Sequence, residues 1–340
     1  MQTPRPAPAA APAPTAPPTA PPTPPAHVPV AVLTRGGLVE SVHTGSVVVL
    51  GADGATVAAV GDVAAPVYPR SALKPLQAVA MVRAGLDVPV GLLALACASH
   101  SGGEEHLSRV LRLLELAGLG PQDLRNVPDL PIGEAERAAW TAAGRGPQPL
   151  AQNCSGKHAA MLLTCRTAGW STTSYLEPDH PLQRLVVETV EELCGERAVH
   201  PTADGCGTPL VAVSLRGLAR AVARLAAAAP GTPEGRVAAA LRAHPELVAG
   251  EGRDTTALAR AVPGLLTKDG AEAVQVAGTA DGAAVAVKVG DGGGRARVPV
   301  TAAALALLGA GGAALEALAS SPVLGGGRPV GELRALPLAP

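Results

Sequence analysis

Apolar positions alternate or run continuously near both ends of the chain, and recur every three to four residues through most of its middle. Val28 to Leu33 predicts a first strand. Ser46 to Leu50 and Thr56 to Val60 are β-rich runs flanking Gly51-Ala52-Asp53-Gly54, the pattern of a hairpin. Pro69 to Lys74 then opens a helix to about Ala84, with Leu73, Leu76, Val79 and Ala80 at helical spacing, so the change of period falls on Arg70-Ser71. Gly91 to Cys97 is an apolar run followed by the polar turn Ala98-Ser99-His100-Ser101-Gly102-Gly103. Helices are predicted from Glu104 to about Ala117 and around Ala135 to Ala143. Further helices are predicted at Ala159 to Thr164, Pro181 to Cys194, Leu210 to Ala228, Glu234 to Ala243 and Thr255 to Ala261. Strands return at Ala273 to Ala277 and Ala283 to Val289, and a last helix occupies Thr301 to Leu308.

Strands at both ends with helices between them predict an α+β fold, in which early and late strands pair in one antiparallel sheet covered by helices. Three regions follow. Residues 1–27 are a Pro/Ala-rich leader expected to be disordered, 28–310 form one compact domain, and 311–340 are a Gly/Pro-rich C-terminal tail with a short helix near Ala313 to Ala319 and a loose end. The leader has no apolar stretch of the kind a signal peptide needs, which fits a cytoplasmic protein.

Charge narrows the partners. The 340 residues hold 27 Lys+Arg against 28 Asp+Glu, a net of -1, which argues against nucleic acid and against docking on a membrane surface. Apolar runs break well before the roughly 20 residues a spanning helix needs. A small-molecule partner is the default. Five cysteines, Cys97, Cys154, Cys165, Cys194 and Cys206, are an odd number spread through a long chain and not a disulfide framework. Phe is absent and the core must be aliphatic. Only Lys74, Lys157, Lys268 and Lys288 are lysines, so a bias toward Arg has replaced Lys wherever positive charge alone is wanted. A surviving Lys is notable because a guanidinium stays protonated, whereas a buried amine can lose its proton.

Three constellations place these lysines beside reactive groups. Ser71-Ala72-Leu73-Lys74 is an S-x-x-K at a helix start, where one turn brings the amine back toward the hydroxyl and backbone N–H groups can stabilise an oxyanion. Its plain alternative is a capping Ser with an exposed Lys. Lys268-Asp269-Gly270 precedes a predicted strand, and in serine hydrolases that use S-x-x-K a K-[TS]-G strand supplies a second Lys. Lys268 also reads simply as part of a turn, and Lys288 competes for the role. Cys154-Ser155-Gly156-Lys157-His158 and Asp204-Gly205-Cys206 bring thiols and an amine that suit zinc, or merely pack as buried cysteines. Arg70 can clamp a carboxylate or pair with a protein acid.

Taken in order, Arg35-Gly36, Glu40-Ser41-x-His43-x-Gly45, Arg70 to Gln77, Ala98-Ser99-His100-Ser101-Gly102, Asn153 to Met161, Asp204 to Pro209 and Lys268-x-Gly270-Ala271-Glu272 resemble the asparaginase II family, the thermolabile Rhizobium-type L-asparaginases. The resemblance runs from about residue 31 to 308. It implies a serine β-lactamase/glutaminase-like fold, a homodimer, and hydrolysis of L-asparagine to L-aspartate and ammonia. It also implies Ser71 as nucleophile with Lys74 as base, and a second pair of Ser99 with Lys268, Ser101 being the competing loop serine. Arg70, His158 and Asp204 would bind substrate, and Cys154, Lys157 and Cys206 would hold zinc. The alternatives are a glutaminase or a β-lactam or peptide hydrolase on the same fold, or a non-enzymatic zinc-stabilised binding module.

Overall fold

Strand pairing joins the two ends of the chain. The computed structural model describes residues 23–338. In it β1 (Val28–Arg35) and β2 (Leu38–Leu50) form an antiparallel pair, and β3 (Thr56–Val60) folds back onto the far half of β2. A small sheet combines β4 (Pro66–Val67), β5 (Val199–Ala203) and β6 (Pro209–Ser214) in the order β4-β6-β5. The late strands β7 (Leu266–Gly270), β8 (Val274–Gly278), β9 (Ala284–Val289), β10 (Ser320–Gly325) and β11 (Arg328–Ala335) complete the main sheet. Its order is β10-β11-β1-β2-β9-β8-β7 with β3 beside β2, and every pairing is antiparallel. Early strand β2 meets late strand β9 with Val47 opposite Val287 and Val49 opposite Val285, as the α+β expectation required.

Both faces of this sheet are covered, because strand periodicity sends neighbouring side chains to opposite sides. Val48 and Leu50 of β2 face one apolar cluster, with Ala284 and Ala286 of β9. On that side pack α1 (Lys74–Arg83), α2 (Val90–Ala96), α3 (Glu104–Leu116), α5 (Ser155–Ala168), α6 (Pro181–Cys194), α7 (Leu215–Ala226) and α8 (Pro233–Ala243), while α4 (Glu134–Ala142) lies further out and buries Trp140. Val47 and Val49 face the other cluster, with Val285, Val287 and Val289. There α10 (Asp254–Ala261), α11 (Arg297–Ala306) and α12 (Ala313–Leu318) close the layer, whereas the short α9 (Pro245–Val248), just before α10, buries Leu247 and Val248 in the first cluster. The continuous apolar runs of β2 and β9 follow from this double coverage.

Several elements differ from the sequence reading. The apolar run ending at Cys97 is helix α2, whose isolated seven residues carry no polar face to reveal a period. The helix expected from Leu210 starts instead at Leu215, after strand β6; Ser214 caps it by accepting the Gly217 N–H, and the apolar Leu210 to Val213 merges with the helix in sequence. Lys268 lies within a strand rather than ahead of one. The 311–340 segment is not a loose end: after α12 it forms the hairpin β10–β11, and β11 pairs with β1 with Leu333 opposite Leu33. Its many Gly and exposed polar positions hide a hairpin whose inward anchor is Leu333, buried in the second cluster. Most of the 1–27 leader lies outside the described residues.

Truncating that anchor tests whether the last strand is structural. Leu333→Ala should cost roughly 2–5 kcal/mol, as buried leucines do when a cavity is left, read as a lower urea midpoint; an unchanged midpoint would make the hairpin an ornament.

Candidate active site

Ser71 is carried by a turn under strain. Arg70 sits at φ 52, left-handed although it has a side chain, and residues Arg70–Leu73 form a single 3-10 turn that runs into α1 at Lys74. Strand β7 presses on this turn from the sheet edge. A Cβ on Gly270 would collide with the Pro69 carbonyl oxygen, so only glycine lets the strand approach so closely. Lys268, two residues earlier on β7, therefore comes to the same place as the start of α1.

Ser99 arrives from a third direction and is pinned on both sides. The Ser99 and Ser101 N–H groups donate to the carbonyls of Val248 and Ala249, and the His100 N–H donates to Asn153. The result is a serine held between two amines. Lys74 Nζ lies 2.9 Å from Ser99 Oγ, and Lys268 Nζ lies 3.0 Å from it. Both lysines are 0% exposed. Lys74 spends its other donors on the Ala98 carbonyl at 2.6 Å and the Cys154 sulfur at 3.1 Å. Among the described residues it makes no hydrogen bond to Ser71, so the S-x-x-K spacing brings the amine close in sequence while its present partners are Ser99 and Cys154. Ser71 itself is partly exposed. The competing candidates fall elsewhere: Ser101 Oγ donates to the Ala249 carbonyl, and Lys288 donates to the carbonyls of Glu272 and Val289.

A second cluster adjoins the first through Cys154. Gly156 brings the start of α5 against α2, where a Cβ would meet the Leu95 carbonyl oxygen at 2.7 Å. That contact places Cys154 and Lys157 deep in the molecule, 4% and 1% exposed. Lys157 Nζ donates to Cys206 Sγ at 3.1 Å and to Thr208 Oγ1 at 2.6 Å. Cys154 Sγ donates to Asn153 Oδ1 at 3.1 Å. The neighbouring Cys154 sulfur and the Lys157 amine hold Cys206 below a normal thiol, while the Cys206 sulfur and burial push Cys154 up. Burial works against the Lys157 ammonium, but the sulfurs outweigh it and raise its pKa. His158, kept neutral mainly by burial, joins Tyr175 at 2.8 Å and Thr208 at 3.3 Å. The remaining cysteines, Cys97, Cys165 and Cys194, are buried thiols, each pushed up to about 12 chiefly by desolvation.

Nearer the surface, Arg70 Nε donates to Asp204 Oδ1 at 2.7 Å, and the two side chains are 25% and 13% exposed. One cationic and one anionic group side by side match the two charged ends of a free amino acid. All ten candidate residues named from the sequence, Ser71, Lys74, Ser99, Lys268, Arg70, His158, Asp204, Cys154, Lys157 and Cys206, lie in or beside these linked clusters. Three neighbours were given no role. Thr208 sits inside a quoted motif, Asp269 fills the variable position of K-x-G, and Tyr175 is one of two tyrosines in a chain without Phe, a scarcity comparable to that of Lys.

Two solved structures are similar in part. One is EstCE1, a hydrolase with promiscuous acyltransferase activity, at 15% identity over 78% of this chain and 90% of that one, with a TM-score of 0.36. The other is a Bacillus glutaminase crystallised in the presence of 4.3 M NaCl, at 14% identity over 73% of this chain and 83% of that one, with a TM-score of 0.33. Likeness at this level carries no argument about chemistry. No curated protein matches the sequence significantly. Among the described residues no helix is long and apolar enough to cross a membrane. The model of the L-asparaginase II family matches residues 31–335, nearly the whole described chain and including β11. The chain belongs to the L-asparaginase II family, which supports an amidohydrolase.

Proposed function

We propose that the protein hydrolyses the side-chain amide of L-asparagine to L-aspartate and ammonia through a Ser-Lys acyl-enzyme route. The observation that carries this reading is a buried serine hydroxyl, Ser99, shared by two lysine amines, one of which, Lys74, lies one helical turn after a second, partly exposed serine, Ser71. Ser71 Oγ, the more accessible hydroxyl, attacks the amide carbon. Its proton passes to Lys74, which turns from one of its present partners to receive it and must be neutral to do so. The tetrahedral intermediate collapses as that proton goes to the leaving nitrogen, ammonia departs, and water then attacks the acyl-Ser71 ester to release aspartate. Arg70 would take the substrate α-carboxylate and Asp204 its α-ammonium, each exchanging its present partner for a substrate charge.

Cys154, Lys157 and Cys206 fit a zinc ion by donor chemistry. Two sulfurs and one amine meet in a dry pocket, and a cation bound there would displace the thiol protons and the Lys157 proton to take them as ligands. Three donors leave a coordination position open, and among the described residues no set of three His, Cys, Asp or Glu offers a competing site. A bound zinc would supply a fixed positive charge beside the pocket. His158, tied to Thr208 and Tyr175, would orient that wall. We read the protein further as a cytoplasmic homodimer: five free cysteines fit a reducing compartment, and the dimer is what the family resemblance implies.

Ammonia release from asparagine, glutamine and a chromogenic β-lactam tests the substrate class, since one extra methylene in a closed polar pocket costs on the order of 1–3 kcal/mol. Asparagine should be preferred, and Ser71→Ala should lower kcat by about 10³-fold or more. A Ser71→Ala protein as active as the parent, alongside an inactive Ser99→Ala, would transfer the nucleophile to Ser99. Metal analysis of the purified protein should find about one zinc per chain. Cys154→Ser and Cys206→Ser should each lose it while remaining folded by circular dichroism; retention of zinc in both would remove the site.

A further inference from the structure

The contact between Lys268 and Asp269 is not what strand geometry provides. Neighbouring residues on a strand point to opposite faces, yet Lys268 Nζ lies 2.6 Å from Asp269 Oδ1 and 2.8 Å from the Asp269 carbonyl oxygen. The long lysine side chain curls around the end of β7, the edge strand, to reach both. With Ser99 Oγ these oxygens occupy all three N–H donors of an ammonium. One of the three acceptors is a carboxylate, which favours the ammonium over the free amine. Lys74 differs: its partners are a carbonyl, the same hydroxyl and a sulfur, with no carboxylate among them.

We propose that Asp269 is a positioning residue that holds Lys268 as a fixed cation against Ser99, so that the two lysines of the site differ in role and Lys268 donates rather than accepts. The inference deepens the Ser-Lys reading above and rests on it for the kinetic consequence alone. Asp269 is itself held. Arg253 Nη2 stands 3.6 Å from Asp269 Oδ2, and Arg253 Nη1 is buried without a hydrogen-bond partner among the described residues. Burial would raise the Asp269 carboxyl, but Lys268, Arg297 and Arg253 hold it well below the usual carboxylate range. It stays anionic.

Charges around Lys268 come from several of the packed elements. Lys74 faces it from α1 and Arg70 lies on the turn before, while Arg253 precedes α10 and Asp254 on α10 pairs with Arg297 of α11. Strand β8 contributes no titratable group, and the charged residues of α8 are engaged elsewhere, Glu234 with Arg83, Arg236 with Asp87 and Arg242 with backbone. Cys97 and His100 nearby are neutral, both because of burial. The balance lowers the Lys268 ammonium to about 8, burial acting most strongly, Asp269 opposing it, and Lys74 and Arg253 adding to the fall. The sign follows. If the cation is required, activity is present below this value and declines as pH rises through it; removing Asp269 moves the decline to lower pH, and removing Arg253 moves it higher.

Having only four lysines makes the test direct. With ε-¹³C-lysine incorporated, four side-chain signals report protonation, and Lys268→Met identifies the one in question. That signal should titrate near pH 8, and the alkaline limb of kcat/KM for ammonia release from asparagine should fall with it. Asp269→Asn should move both downward by roughly one to three pH units, the span of an adjacent opposite charge, and Asp269→Glu should restore them. Arg253→Gln should move both upward by a smaller step. An Asp269→Asn protein whose Lys268 signal or alkaline limb stays at the parental pH overturns the proposal. Should that variant fail to fold, an unmoved or lowered transition in Arg253→Gln overturns it instead. Absence of ammonia release would refute the Ser-Lys reading, while the carbon titration would still decide whether Asp269 holds the cation.

Discussion

Three primary amines buried side by side are the constraint around which this molecule is arranged. Lys74, Lys157 and Lys268 are at most 1% exposed, and their clusters are linked through Ser99 and Cys154. Burying like charges together is among the more expensive things a fold can do unless counter-charge and hydrogen bonds are supplied. Here the counter-charge is local and of two kinds. Asp269 serves Lys268 at the sheet edge, and the Cys206 sulfur, held below a normal thiol, serves Lys157. Lys74, between them, has neutral partners, and that asymmetry gives the three amines separate chemical characters.

The architecture explains how such a cluster is assembled from distant sequence. The strained turn at Arg70, the loop at Ser99, the start of α5 and the end of β7 are separated by tens to hundreds of residues, yet each ends at one point. Close backbone approach is what makes the convergence possible. Gly270 lets β7 touch the Pro69 turn, and Gly156 lets α5 touch α2. The rigid antiparallel sheet, with Val47 and Val49 of β2 packed with Val285 and Val287 on one face and Val48 and Leu50 packed with Ala284 and Ala286 on the other, fixes β7 against α1 so that a left-handed Arg70 is tolerated.

Much of this was legible in the chain because function leaves composition out of balance. Against 23 arginines, four lysines stand out, and the S-x-x-K and K-x-G spacings select two of them. The layout was legible too, since β1 to β3 and β8 to β9 carry strand patterns and most helices a clear period. What could not be read were features set by the third dimension. Asp269 looks like a turn residue until the curled path of Lys268 is seen, and Tyr175 sits in a featureless loop. Strand β6 was absorbed into the following helix, and the β10–β11 hairpin was lost among glycines, because both depend on partners far away in sequence.

Lys288 supplies the control for the lysine argument. It is as rare in sequence as the others, stands on a strand, and follows the same coding bias, yet it is half-buried and satisfied by two backbone carbonyls near the protein edge. Scarcity alone therefore identifies candidates and burial separates them. The reason is physical: at an exposed position Arg and Lys serve alike, but a guanidinium cannot shed its proton and its planar fork demands more acceptors than a small dry pocket holds. At 74, 157 and 268 a compact amine with three donors is the group that fits, and a substitution toward the prevailing Arg would leave donors unsatisfied in the core.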